Sequence, residues 1–447
     1  MARQWARRTL VATLAVTLAA VAGCSGSGDD TQDGVTKVTI WSQVGGWTDI
    51  EKTFVQEFNA KNTGVQIDYV SMPADSIVDN LLLALRTGSG PDIFAGPGPT
   101  EVAPQGYTAD LSEIMDDTTK KAYAPYLQGS YDFIYGGKLM GLPSATVTVR
   151  LMYNKDLFTA AGLDPTKPPT TYGEVKQAAE AITRTSNGKA YGYGLPLAFN
   201  GFLPNMIEPG VTGGNPDLTN FGAFNTKTGQ FEMSAFKPAI QLFRDLNASK
   251  SLFPGAGTLN RDGMRTAFAN GQIGMYVGNS LEMGTMNNQL KTKVKWGAAP
   301  VPVPDGQSLA NGTAFTGTVW FVNAKIKNKA ALSTVYNAWM GPGRVGPLQK
   351  AGVIFATNTT VRDDPQYKPA DIYGYDDWAP GDIDKQPPLS PGGVVTPSGE
   401  PYSKVISALI LGTGDIDGPL SDVSSRYNDA YQKAVKDGTL KAADFQK

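Results

Sequence analysis

Histidine is absent from the 447 residues, and cysteine occurs once. The first absence excludes Ser-His and Cys-His nucleophile pairs, the H-E-x-x-H metal site and any histidine general base. The second excludes an intramolecular disulfide, so a chain of this size must rely on its apolar core. Neither G-x-S-x-G nor G-x-x-x-x-G-K-[ST] occurs. Basic residues are not in excess either: 39 Lys and Arg face 41 Asp and Glu, for a net charge of −2. Such a chain has no surplus to neutralise a phosphate backbone, so no nucleic-acid partner is expected. Long apolar runs are missing beyond the N-terminus, where nothing reaches the 18 residues that suggest a membrane span. Of the common hydrolytic chemistries only that of carboxylates survives. Glycoside hydrolysis needs two spaced Asp or Glu, and 41 acids leave such a pair open.

The single cysteine, Cys24, lies in "VAGCSGSGDD". Before it come Arg3, Arg7 and Arg8 and then the uncharged stretch 9–22, "TLVATLAVTLAAVA". That stretch is too short for a bilayer and has the length of the apolar region of an export signal. Val21-Ala22-Gly23-Cys24 resembles a bacterial lipobox, in which the cysteine sulfur receives a diacylglycerol and becomes the new N-terminus. The expectation is a signal peptide at 1–23, a lipidated, palmitate-bearing Cys24, and a flexible linker over 24–34. Arg7-Arg8-Thr9-Leu10 loosely resembles a twin-arginine signal. Loss of three arginines and no acids would take the net charge from −2 to −5.

Beyond the linker, "VTKVTIW" reads as a strand ending at Trp41, and "TDIEKTFVQEFNAKNTG" as a helix. Thr48 and Glu51 match a capping box, Ile50, Phe54 and Phe58 recur every four residues, and Gly64 closes the segment. "VQIDYV" is a second strand, 75–87 a second helix, and "PDIFAG" a third strand. Strand–helix alternation of this kind predicts right-handed crossovers and a mainly parallel sheet. The alternation resumes with a capping box at Thr171 and Glu174, the strand "YGYGLPL", helices near 236–249 and 261–270, and the strand "QIGMYVG". The Pro/Gly/Asp-rich stretch 371–401 reads as irregular.

Five segments in this order carry a resemblance: "GSGPDIFAG", "GGKLMGLPSATVTVRLMYNKDLFTAAGL", "RTAFANGQIGMYVGNS", "WGAAPVPVPDG" and "GTVWFVNAKIKNKAALSTVYNAWM". The chain resembles the extracellular solute-binding proteins of ABC importers, the sugar- and oligosaccharide-binding type (family 1). The resemblance implies an α/β fold of two lobes with a central ligand cleft and three interlobe crossings. These are placed near Thr146–Thr148, Phe315–Thr316 and Val353–Ile354. Lobe one is expected over 35–145 plus 317–352, and lobe two over 146–316 plus 353–447.

Ligands of open α/β sheets bind outside the carboxyl ends of strands. A pyranose wants aromatic rings against its C–H faces and amide, hydroxyl or carboxylate groups around its rim. The candidate binding residues are therefore Trp41, Gln43 and Trp47 after the first strand and Gly96 and Pro97 after the third. The family pattern adds Phe199, Asn200 and Phe202, then Asn279 and Ser280, where many members carry a tryptophan, and Gly352, Phe355 and Trp378. Trp47 and Trp378 are expected to be stacking platforms, whereas Trp296, Trp320 and Trp339 are expected in the core. The carboxylates of "DDWAPGDID" miss the D-x-[DN]-x-[DN]-G-x₅-E calcium spacing and read as a solvated loop. No cofactor and no metal are expected, and no chemistry. The resemblance implies a monomeric receptor on the outer face of a bacterial cell membrane. It would capture a carbohydrate, an oligosaccharide by the family pattern, for ABC permease subunits. A receptor for another polar solute, or a surface glycoside hydrolase, is the alternative.

Overall fold

A computed structural model describes residues 31–446 except 33 and 129–132. The expected signal segment and Cys24 lie outside these residues, and within the linker expected over 24–34 the pair Thr31–Gln32 forms a short strand antiparallel to Val35 and Thr36.

The first lobe starts as the sequence alternation predicts, but the expected mainly parallel sheet is mixed, because the long central strand over 141–154 pairs antiparallel with its neighbours. Strand β1 (Val35–Gln43), helix α1 (Thr48–Lys61), strand β2 (Val65–Met72), helix α2 (Ala74–Thr87) and strand β3 (Ile93–Phe94) follow one another. β1 pairs in parallel with β2 on one side and β3 on the other. Val38 and Ile40 alternate into the core, while α2 ends at Gly88 in the left-handed region, φ +80°.

The expected capping box at Thr48 and Glu51 does not form. Trp47 occupies the N-cap, and the Thr48 hydroxyl accepts a bond from Gly45 N at 2.9 Å. Glu51 is captured by a distant partner instead. Its buried carboxylate meets Arg344 Nη1 at 2.7 Å and the Tyr69 hydroxyl at 2.7 Å. Burial still raises the Glu51 carboxyl above its usual range, with the Arg344 charge opposing. Arg344 is itself held over the rings of Trp320 and Trp339, 5.0 and 4.4 Å away.

Strand β4 (Gly141–Asn154) is nearly continuously buried and serves two sheets. After it come helix α3 (Tyr172–Thr185), strand β5 (Tyr191–Tyr193), helix α4 (Lys237–Ala248) and helix α5 (Arg261–Ala269). Strands β6 (Ile273–Asn279), β7 (Trp296–Ala299) and β8 (Gly312–Val322) then return beside β4. The first half of β4 pairs antiparallel with β8, from Gly141↔Phe321 to Thr148↔Ala314. Its second half pairs with β6, from Val149↔Asn279, and with β7. At α3 the capping box is present, with Thr171 Oγ1 accepting from Glu174 N and Glu174 accepting from Thr171 N. Helices α6 (Lys329–Met340) and α7 (Pro342–Lys350) lead to the short strand β9 (Phe355–Ala356). Two more helices, α8 (Tyr402–Leu411) and α9 (Asp417–Lys436), close the chain on the second lobe.

Two large apolar cores result. One joins Val38, Ile93, Leu142, Trp320 and Trp339, and the other joins Val149, Phe268, Trp296 and Tyr431. Trp296, Trp320 and Trp339 are thus core residues, as expected. A third, smaller cluster lies between them: Trp47, Ala145, Val147, Leu348, Val353 and Ile354, with Phe315 packed on it and on the second core.

Candidate functional site

The three expected crossings lie side by side. Phe315 pairs with Val147, Thr316 with Thr146, and Phe355 with Thr146 from the other edge. Thr148, where β4 changes partners, is bonded on every side. Ser280 N donates to Thr148 O at 2.9 Å, and Thr148 N donates to Ser280 Oγ at 3.3 Å. Thr148 Oγ1 donates to Trp378 O at 2.6 Å. Nearby, the approach of the first lobe to the second is close enough that a Cβ at Gly46 would collide with the Gly284 main chain.

Two positions further along β4, Arg150 carries a charge into this buried strand. Its guanidinium forks onto Asp384, Nη1 to Oδ1 at 2.7 Å and Nη2 to Oδ2 at 2.6 Å, and Nη1 also donates to Val149 O. The Asp384 side chain has no exposed surface, which corrects the reading of "DDWAPGDID" as a wholly solvated loop. The stretch around it has little regular structure, as expected, yet it is fastened down. Tyr373 Oη donates to Trp296 O at 2.7 Å, and the Tyr375 ring packs on Phe355 at 5.0 Å.

Beside the crossings is a cleft of about 210 Å³. Phe221, Phe315 and Leu389 supply its apolar walls, and Asn205, Asn220, Gln386, Thr316 and Ser390 its amides and hydroxyls. No charged side chain is among the described residues that line it. Asn205 sits in a π-helical turn, Leu203–Ile207, the kind of irregularity that recurs at functional sites.

The expected binding residues fall into three groups. Asn279, Ser280, Phe355 and Trp378 converge on Thr146–Thr148, and the Asn279 carboxamide also reaches Asn205 at the edge of the cleft, 3.4 Å away. Gly352, φ +65°, is buried next to Ile372. In the first lobe Trp41 is half-buried against Phe94 and Leu81, and Gln43 O accepts from the Trp47 indole at 3.0 Å. Gly96 is exposed beside Ile77, with Pro97 buried next to it. In the second lobe Phe199 lies under the Arg261 guanidinium at 4.6 Å, Asn200 is exposed and Phe202 is in the core.

Two expectations need correction. Trp47 and Trp378 present no open ring face, being 6% and 0% exposed. Trp47 plugs the middle cluster because its helix starts at the lobe junction, and Trp378 is drawn into the second core by the Thr148 bond to its carbonyl. The Trp378 indole N–H is buried with no hydrogen-bond partner.

Sequence reading missed Asn205, Asn220, Phe221 and Gln386, and it missed the Arg150–Asp384 fork. The fork had a signal, since an arginine within "TVTVRLMY" must find a buried partner. Phe221 had none.

The profile of the bacterial extracellular solute-binding proteins matches residues 45–340. A binding protein of Brucella abortus (strain 2308) is 25% identical over 395 residues, covering 84% of this chain and 88% of its own. The sn-glycerol-3-phosphate-binding periplasmic protein UgpB of Pectobacterium atrosepticum is 25% identical over 305 residues, 65% of this chain and 66% of its own. Among solved structures, the GacH receptor of Streptomyces glaucescens, described unliganded and with acarbose, matches with a TM-score of 0.67 at 22% identity. It spans 90% of this chain and 98% of its own.

Proposed function

The chain belongs to the bacterial extracellular solute-binding proteins, and on that premise we propose that it captures a neutral carbohydrate between its two lobes for delivery to an ABC permease. The carrying observation is the lining of the cleft, all of whose described residues belong to the second lobe beside the crossings, so that the first lobe would close over a ligand seated there. Aromatic and aliphatic walls alternate with carboxamides and the hydroxyls of Thr316 and Ser390, and no described side chain in the lining is charged. Such a surface suits the C–H faces and hydroxyl rim of a sugar. A phosphorylated ligand, as in the name of the Pectobacterium relative, would want a cation or a helix N-terminus against it. At about 210 Å³ the cleft is below the roughly 300 Å³ at which ligand pockets usually begin. An oligosaccharide would seat one ring there and extend outward.

Binding without chemistry is supported by the state of the buried acids. Glu51, Glu282 and Asp384 each face an arginine at 2.6–2.7 Å, the buried Glu208 is tied to two backbone N–H groups and the Tyr402 phenol, and none of the four lines the cleft. The lobes divide at the three adjacent crossings, 35–145 plus 317–352 and 146–316 plus 353–447, and close about them. Core membership supports most of this division, because the two large cores share no residue across it, although Thr357, Asn358 and Thr359 are bonded to Pro143, Met340 and Ala122 of the first lobe. Cys24 carries the lipid anchor that holds the receptor on the outer face of the membrane. No described helix is long and apolar enough to cross it.

The test is calorimetric titration with maltotriose, raffinose, stachyose and sn-glycerol 3-phosphate, paired with small-angle scattering. Sugar binding with compaction of the molecule is expected. Binding of the phosphate ester alone would overturn the carbohydrate reading. Binding without compaction would remove the closure.

A further inference from the structure

Phe221 stands out from the other aromatic residues of the second lobe. Its φ is +61°, in the left-handed region that a phenylalanine rarely adopts, and the residue is 47% exposed while lining the cleft. A fold gains nothing in stability from straining a backbone to put an apolar ring into water. The surroundings nevertheless fix this conformation from several sides. Glu208, a wholly buried carboxylate, accepts from Phe221 N at 2.6 Å and from Gly222 N at 3.1 Å. Tyr402 Oη of α8 donates to the same carboxylate at 2.9 Å. Phe221 O accepts from Ser390 Oγ at 3.0 Å, and Gly392 approaches so closely that a Cβ there would collide with that oxygen. The neighbouring Asn220 Oδ1 accepts from Thr212 Oγ1 at 3.2 Å.

Among the described residues, Glu208 faces no cation. The groups that meet it are two backbone N–H groups and one phenol, with Tyr427 of α9 behind the phenol. A buried acid without a salt bridge is a costly device. Here it satisfies two consecutive amides whose only evident product is the placement of the Phe221 ring.

We propose that Phe221 is the ring on which the ligand stacks, and that Glu208 is the positioning residue that holds Phe221 in its left-handed conformation at the wall of the cleft. The inference rests on the carbohydrate reading above and deepens it. The sugar's C–H face lies on Phe221, and the carboxamides of Asn220 and Asn205 are in reach of its rim.

The experiment is titration of the full chain and of Phe221→Ala, Phe221→Tyr, Glu208→Gln and the Phe221→Ala/Glu208→Gln double variant with maltotriose, raffinose and stachyose. Phe221→Ala should weaken the best of these sugars about tenfold, while Phe221→Tyr should stay within about threefold of wild type. Glu208→Gln should also weaken it about tenfold, but the double variant should bind no worse than Phe221→Ala alone, because both changes remove one ring contact. Unchanged binding in Phe221→Ala overturns the stacking role. Losses that add in the double variant overturn the positioning role of Glu208, since a merely structural residue would act independently of the ring. If Glu208→Gln does not fold, Glu208→Asp, which keeps the charge and shortens the reach, takes its place in the same cycle. Wild-type chain that binds none of the three sugars overturns the carbohydrate reading and this inference together, whereas sugar binding indifferent to residue 221 overturns this inference alone.

Discussion

Replacing Asp384 by alanine would test whether the late loop is held by its fork to Arg150. In the native chain Arg150 makes two short charged hydrogen bonds to Asp384, 2.7 and 2.6 Å, in a site where its own side chain is 8% exposed and that of Asp384 is not exposed at all. Charged hydrogen bonds contribute roughly 1.5–3 kcal/mol each. Removing one partner of a buried pair costs about 3–5 kcal/mol, because the surviving charge is left without compensation. Arg150 would keep only carbonyl partners, Val149 O and a longer contact to Ala379 O. Asp384→Ala should therefore lose about 3–5 kcal/mol from the second lobe. Chemical denaturation followed by tryptophan fluorescence would read it, with Trp296 and Trp378 reporting on that lobe. The double variant Arg150→Met/Asp384→Leu, which removes both charges, should recover most of the loss. The reasoning fails if Asp384→Ala loses less than about 1 kcal/mol, the range of an exposed pair, or if the double variant is no better than the single.

Burial reverses what an exposed tryptophan would have implied at position 47. Trp47→Ala should cost the unliganded protein about 3–5 kcal/mol, read as a fall in melting temperature, and an unchanged melting point would mean that the ring is not packed in the middle cluster. Trp378→Phe should cost clearly less than Trp378→Ala, for which about 3–5 kcal/mol is expected, because it leaves a smaller cavity and deletes a buried N–H that has no partner; a loss as large as that of Trp378→Ala would show that the indole N–H is satisfied after all. Burial pushes the Glu208 carboxyl up to about 7 from 4.5, against the three donors that face it. A raised acid keeps its proton better folded than unfolded, so its contribution to stability is complete below about pH 4.5 and is lost as pH rises to about 7. Between those limits wild type should lose on the order of 3 kcal/mol relative to Glu208→Gln, and urea titrations of the two proteins that run parallel across this range would contradict the assignment. Cys24→Ser should shift the protein from the membrane fraction to the medium or to an unprocessed precursor, since stable anchoring needs two or more acyl chains; unchanged membrane retention would rule out the lipid anchor.

The legibility of this chain follows the range of its interactions. The opening β–α–β–α–β run and the Thr171–Glu174 cap were readable because period and capping are local. The cap at Thr48–Glu51 had the same signature and failed, because Arg344, 293 positions away, competes for the carboxylate. Burial of Trp378 was unreadable for a similar reason: an irregular loop rich in Pro, Gly and Asp gives no sign that Thr148 and Arg150 will fasten it. The crossing positions were placed through family resemblance, and the strand pairing sets them next to one another. Phe221 lies beyond any local rule, since its backbone state is imposed by a glutamate from one other segment and a serine and a glycine from a second.

β4 is also a lever. At about 3.3 Å per residue, each half of the strand extends roughly 23 Å from its midpoint. A bend of 10° spread over the peptide units around Thr146–Thr148 would sweep each tip through about 4 Å, with the neighbouring strands β8 and β9 keeping register at the fulcrum. That motion is transverse, and the Gly141–Asn154 separation itself shortens by only ~0.2 Å, so a probe near Gly141 would be paired with one in the second lobe that lies off the line of the strand.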